Sequence, residues 1–262
     1  MKVYKLVIIS IILGFFSGIL ELYALMAFYE DSFSVYELID YLGRRYAEYK
    51  LVYMGELVYK YIPMLFFHVF FGTAIYKNFC VAGIYYFTRT EKINSWIIKE
   101  FLKVALASIL FSLGILVGGA CYCKVRGQLT VEWNIDTLLL GISFIVLTTL
   151  FMYISTILIN VVALLSESGF GFVLSEMFIL FNIVVFCAYG DVFGDYHPTD
   201  KYAWVMKINP FRHLIFLFKT EPIHYYKSVI YFCILAVGIS IIMALLIRTH
   251  EFISNNQEID AG

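Results

Sequence analysis

The sequence predicts an all-α polytopic membrane protein, and three observations carry that prediction. Hydrophobic residues make up 61% of the 262 and charged residues only 15%, against about a half and a quarter in ordinary soluble domains. The apolar residues fall in long uncharged runs, and a bilayer core of about 30 Å takes roughly 20 helical residues to cross. The runs are also continuous, with Ile, Leu, Phe and Val on every side, whereas a membrane barrel needs alternating segments of about 10 residues. The same composition excludes disorder, collagen and a disulfide scaffold. A formal net charge of −1 excludes a nucleic-acid partner.

Six spans follow in order, at about 6–29, 57–76, 101–123, 137–165, 170–190 and 228–248, within one transmembrane domain covering 1–262. The first is interrupted only by Glu21. Lys2 and Lys5 precede it as in a signal peptide, but no small-x-small cleavage pattern follows within reach, so it reads as a retained span. The second must pass Lys60 and carries His68 mid-way. The third is uncharged from Val104 to Cys123, and the fourth is longer than a straight crossing requires. The fifth runs over Glu176, and the sixth is uncharged from Ser228 to Ile247.

Six crossings put both ends on one side. Lys2 and Lys5 favour N-in and C-in. The raw count opposes this, with eight Lys and Arg inside and eleven outside. The rule weights short loops and span ends, however, and the inner loop from Lys77 to Lys103 concentrates five basic residues.

Between the spans, Glu30–Glu56 has room for a small helical cap, for which Glu48–Ile62 looks amphipathic. Gly127 is expected at the bend after the third span, and Ser166–Gly169 is a tight SESG turn. The longest outer segment, Asp191–Lys227, holds three of the four prolines. The inner loop reads YKNFCVAGIYYFTRTEKINSWIIKEFLK from Tyr76. Its centre, Phe79–Phe87, is apolar and aromatic yet too short to span. Polar TRTEKINS follows, and then Trp96 opens the next helix at a headgroup-like position. A short apolar helix on this face can lie in the interface or seat in a groove on a partner; the residues alone leave both open.

Six spans with both ends inside, and an aromatic helix after the second span running into a basic segment and Trp96, resemble the permease subunits of bacterial ABC transporters of the second, exporting type. The resemblance implies that Phe79 through Phe87, notably Phe79, Tyr85, Tyr86 and Phe87, form a cytoplasmic coupling helix docking on an ATPase. Arg89, Thr90 and Glu91 follow it, and the turn at Glu167 would be a second, smaller contact. It also implies short re-entrant outer helices between the fifth and sixth spans, at Trp204–Phe218, broken by Asn209 and Pro210 with Phe211 next; a proline there forbids one straight helix. No GxxxxGK[ST] occurs, so no ATP would be hydrolysed by that route on this chain. ATP and Mg would belong to a separate ATPase present in two copies, beside a second permease of the same or a homologous chain. The implied setting is a multi-pass plasma-membrane protein, and the implied cargo an amphipathic peptide such as a bacteriocin, for export or self-immunity.

Other groups are weighed singly. Glu21 lies about 24 Å of helical rise from Lys5; it either lines a pathway, pairs with a basic residue of the outer cap, or is solvated at the interface. His68 could hold a proton or metal, but no second ligand stands three or four residues away, which favours a hydrogen bond across helices. Glu176 could pair with an inner-loop Arg or Lys. Cys121 and Cys123 form a lone CxC without an adjacent His, which is no metal signature. Gly114, Gly118 and Gly119 permit close helix approach. The alternatives are a non-transporting immunity or assembly protein, and an intramembrane protease. The latter lacks HExxH and an adjacent Glu pair, and GFFSG at Gly14–Gly18 has the wrong spacing for a GxSG serine.

Overall fold

The computed structural model describes residues 3–26, 32–44, 50–85, 93–130, 134–194, 199–214 and 225–249. These are almost wholly helical. Six stretches are long and apolar enough to cross a membrane: Val3–Tyr23, Leu51–Cys80, Ile93–Val125, Ile135–Leu165, Phe170–Phe193 and Tyr225–Thr249. The chain is an all-α polytopic membrane protein in this sense.

In chain order the helices are α1 (Val3–Met26), α2 (Val35–Arg44), α3 (Met54–Phe71, entered through a 3-10 turn at Leu51–Tyr53), α4 (Ala74–Tyr85), α5 (Ile93–Val125), α6 (Ile135–Leu165), α7 (Phe170–Phe193), α8 (Ala203–Ile208), α9 (Pro210–Leu214) and α10 (Tyr225–Thr249). The long helices alternate in direction, giving the bundle an α2 end and an α4 end. α6 lies centrally, against α5, α7 and α10.

At the α2 end, a two-residue parallel pair joins β1 (Phe33–Ser34) to β2 (Leu129–Thr130). α2 begins with a reciprocal cap. The Ser34 N–H and hydroxyl donate to Glu37 Oε2 at 2.8 and 2.9 Å, and Glu37 N–H donates back to Ser34 Oγ at 3.2 Å. Those bonds, the Ser34 backbone N–H first, hold the Glu37 carboxyl below its ordinary range. Leu38, Ile39 and Leu42 turn one face of α2 into the bundle. The small cap is therefore here, upstream of where the sequence pattern put it. Leu51–Ile62 instead opens the second span, because its residues Leu57 and Tyr61, followed by Met64, face the core.

α1 and α5 are in backbone contact. Gly14 lies on Phe111 and Gly114, Gly18 on Ile115 and Gly119, and Gly118 on Phe15. A Cβ on Gly18 would stand 2.1 Å from the Ile115 carbonyl oxygen, and one on Gly118 2.0 Å from that of Phe15. GFFSG is thus a small-xxx-small packing face matched by a second one.

The turn after α6 is tight as expected, and Glu167 adopts φ 50°. Ser168 N–H reaches back to Ala163 O and Glu167 N–H to Leu164 O, the pattern usually built on glycine. Gly127, with φ 71°, makes the bend after α5.

Candidate functional site

The second span is not one uninterrupted helix. Pro63 removes one backbone donor within α3, and the ladder opens again at Gly72–Thr73, where α3 gives way to α4. In a continuous helix Tyr76 N–H would donate to Gly72 O. Here the Asn160 side chain of α6 stands between them. Tyr76 N–H donates to Asn160 Oδ1 at 2.9 Å, and Asn160 Nδ2 donates to Gly72 O at 2.5 Å. A side-chain amide thus substitutes for one rung, a recognised cause of a kink, and gives both freed backbone groups a partner.

One turn earlier lies a buried polar cluster. Tyr61 and His68 are seven residues apart, so they share a face of α3. His68 Nδ1 stands 2.8 Å from Glu176 Oε1 on α7, and His68 Nε2 2.7 Å from Ser155 Oγ on α6. Tyr61 donates its hydroxyl to Glu176 Oε2 at 2.5 Å. Ser155 Oγ also lies within donating distance of Phe151 O (2.8 Å) and Met152 O (3.1 Å) of its own helix. All four side chains are buried, His68 completely. Taking one partner away from such a cluster would strand a charge or donor in a dry place.

Above the cluster sit α8 and α9. They are two short helices, with Asn209 extended at ψ 121° as a residue before proline should be. Asn209 Oδ1 accepts from Phe211 N–H and so caps α9, and its Nδ2 donates to Asn182 O of α7, both at 2.9 Å. Phe211 reaches inward, its ring 5.4 Å from that of Phe151 and 6.3 Å from that of Tyr61. Phe151 is 16 residues into α6, about 24 Å of rise, so the hairpin dips deep into the bundle from the α2 end. A groove of about 450 Å³ runs between α6, α7, α10 and this hairpin, with Ser155, Asn182 and Asn209 among otherwise apolar walls.

The structure therefore brings His68, Asn209, Pro210 and Phe211 together, with Tyr61, Ser155 and Glu176 as members that the sequence did not assign to a common site. Glu176 pairs with His68 rather than with an inner-loop base. Asn160 was missed as well; its only signal was an amide inside the apolar run 137–165.

Phe79 departs from expectation. It is 2% exposed and packs on Trp96 at 6.1 Å, so its ring is part of the core at the α4 end and not of a docking face. Trp96 likewise is buried, because α5 starts well before the predicted third span. Asn78 Nδ2 bonds Glu100, tying α4 to α5, and Lys103 Nζ holds the same carboxylate from within α5. Tyr85 closes α4, and its side chain lies outside the described residues, as do Tyr86, Phe87, Arg89, Thr90 and Glu91. Glu167 is exposed at the tip of its turn. Glu21, 1% exposed, is not solvated; it sits near Tyr59, whose hydroxyl donates to Leu20 O. That is about 13 Å along α3 from His68. Among the described residues no three of His, Cys, Asp and Glu converge as a metal site would need.

Comparison of the chain with protein families, with curated proteins and with solved structures found no match.

Proposed function

We propose that this chain is the membrane-spanning permease subunit of an ABC exporter, with both ends in the cytosol, driven by a separate ATPase and paired with a second permease in the plasma membrane. The observation that supports this most is the Asn160-bridged break at Gly72–Thr73. It makes α4 a separate lever, clamped to α5 by Phe79–Trp96 and Asn78–Glu100, that leads directly into residues 85–91. A push received there would reach the ends of the second and third spans together. Phe79 serves this scheme as the anchor of the lever, and Tyr85, Tyr86 and Phe87 remain the proposed docking face, with Arg89, Thr90 and Glu91 beside it and Glu167 as the smaller contact. The α8–α9 hairpin, dipping from the opposite end, serves as the outer gate over a polar cluster. The cargo class follows from the resemblance alone.

The test is co-purification. A P-loop ATPase encoded beside this chain is expected to be retained by the wild type and released by Tyr86→Asp or Phe87→Asp. Retention in both variants would defeat the docking role.

One arrangement favours a second reading. Ser155, His68 and Glu176 stand in the linear order nucleophile, base, orienting carboxylate. Ser155, however, lies mid-helix, where the neighbouring backbone N–H groups are consumed by α6. The two amides that share the groove with Ser155 are committed elsewhere, Asn182 Nδ2 to Phe178 O and Asn209 Nδ2 to Asn182 O, and an oxyanion donor's contribution is usually the largest in acyl transfer. Ser155 is therefore expected to resist a fluorophosphonate probe in membranes; covalent labelling lost in Ser155→Ala would revive the hydrolase reading.

A further inference from the structure

The His68–Glu176 contact sits in a bundle of membrane-spanning helices, and ionisable groups in that setting recur in proton pathways. Its partners decide what it can hold. His68 Nε2 faces a hydroxyl, which can accept or donate, while His68 Nδ1 faces a carboxyl oxygen 2.8 Å away. Two hydrogen-bond arrangements satisfy the same heavy-atom positions.

In the first, Ser155 donates to Phe151 O and accepts from His68 Nε2–H. A further proton lies between Nδ1 and Glu176 Oε1, and Tyr61 O–H donates to Oε2. In the second, Ser155 turns its hydroxyl from Phe151 O to Nε2, His68 carries its proton on Nδ1 and donates it to Oε1, and Tyr61 is unchanged. The first holds one proton more than the second. The pair is neutral overall in the first and carries one buried negative charge in the second. No heavy atom has to move: the Nε2 proton leaves by way of Ser155 to solvent in the groove that Ser155 lines, the shared proton settles on Nδ1, and the Ser155 hydroxyl turns from Phe151 O to Nε2.

We propose that Tyr61, His68, Ser155 and Glu176 form a reversible proton-binding site, loaded when the proton is shared between His68 and Glu176 and unloaded when Ser155 donates to His68. The proton belongs to the pair and not to either residue. Among the described residues, the elements packed against it carry charged and titratable groups of their own. From α3 comes Tyr61, while Lys60 and Glu56 are engaged with each other and with Tyr41 toward the α2 end. α6 offers only hydroxyl and amide groups in Ser155, Thr156 and Asn160. α9 carries Arg212 and His213, and His213 is turned to Lys207 O, Ser228 and Tyr231. α10 presents Phe232 and Tyr231, whose hydroxyl donates to Ile208 O.

The Ser155 side of the site lines the 450 Å³ groove, which gives the proton a route of exchange. Occupancy is also felt above. A charged Glu176 strengthens the bond from Tyr61, and Tyr61 packs edge-on against Phe211 of the hairpin at 74°. This inference does not depend on the exporter reading, since it concerns the chain alone.

The test is ¹⁵N NMR of histidine-labelled full-length chain in liposomes, recorded over a series of pH values. His68 is assigned by its loss in His68→Gln, or in a variant whose other histidines, His197, His213, His224 and His250, are Gln. The expected result is that His68 passes with rising pH from a form protonated at Nε2 to one protonated at Nδ1. In Glu176→Gln, whose amide mimics the neutral carboxyl, that exchange should vanish. A wild-type His68 that keeps one protonation pattern at every pH overturns the proposal, as does an exchange that survives unchanged in Glu176→Gln.

Discussion

The α1–α5 seam and the α3–α6–α7 junction hold helices together in opposite ways. Along the first, glycines bring two backbones into contact, with Leu22 over Gly119 and Tyr23 against Tyr122 beyond them. Along the second, four helical segments are joined through the side chains of Asn160, His68, Ser155, Tyr61 and Glu176. In lipid, where helix association gains little from burying apolar surface, close packing and interhelical hydrogen bonds are the available adhesives. Close packing has one optimum and is rigid. Hydrogen bonds can be re-partnered without moving the helices. The comparison therefore separates a fixed wall from a region able to change state, and the broken second span and the dipping hairpin both lie on the changeable side.

The largest expected effect breaks the wall. Gly118→Leu forces a side chain onto the Phe15 carbonyl and should destabilise the protein by about 3 kcal/mol or more, seen as loss of monodisperse folded protein in detergent unfolding. Gly238 in α10, where a Cβ meets nothing within 4 Å, is the control: Gly238→Ala should be neutral or gain up to about 1 kcal/mol from helix propensity. Equal damage at both sites would erase the distinction.

Next comes the wired side. Asn160→Ala leaves the Tyr76 N–H and Gly72 C=O without their bridge, at a cost of about 1–3 kcal/mol. Faster amide exchange confined to Gly72–Phe79 would report that loss locally. A smaller effect, of opposite sign, is expected at the turn below. Glu167 holds a left-handed φ that costs a non-glycine residue about 1 kcal/mol, so Glu167→Gly should raise the thermal midpoint. If that exposed carboxylate meets the ATPase, the same variant should also weaken ATPase retention, separating a structural role from a contact.

The smallest effect is one of pH. Burial, and secondarily the charge of Arg212, hold His213 below its ordinary 6.5, against the pull of the Lys207 carbonyl. A lowered folded-state value means that the unfolded chain binds the extra proton first as pH falls. This contribution is therefore complete above 6.5 and is lost progressively below it. Wild type should lose more stability than His213→Gln between neutral pH and the region just under 6.5. The Glu37 cap acts in a lower window: its carboxyl is held below 4.5, so its contribution is present above 4.5 and fades as pH falls through the depressed value.

Much of this fold could be read from the chain because lipid imposes strict rules. Uncharged runs of spanning length gave six helices, and Asn209–Pro210 announced a break. What could not be read required knowing which helices touch. Gly14 and Gly18 looked like a failed protease motif until Gly114 and Gly118 were found opposite. Phe79 looked like a docking residue because nothing in sequence shows that Trp96 folds back upon it. His68 had no metal ligand three or four residues away on its own helix, and Ser155 and Glu176, which meet its ring nitrogens, come from α6 and α7, 87 and 108 residues away. Asn160 was one amide in a greasy run, and its role depends entirely on the ladder it enters.

The proposed function requires the α4 end to face the cytosol, where an ATPase can reach it. With Cys80, Cys121, Cys123, Cys187 and Cys233 replaced, a single cysteine at Glu91 should react with a membrane-impermeant maleimide only after the cytosolic face is opened. Reaction in intact cells, with no gain on opening them, would put the lever on the wrong side and contradict the proposed function.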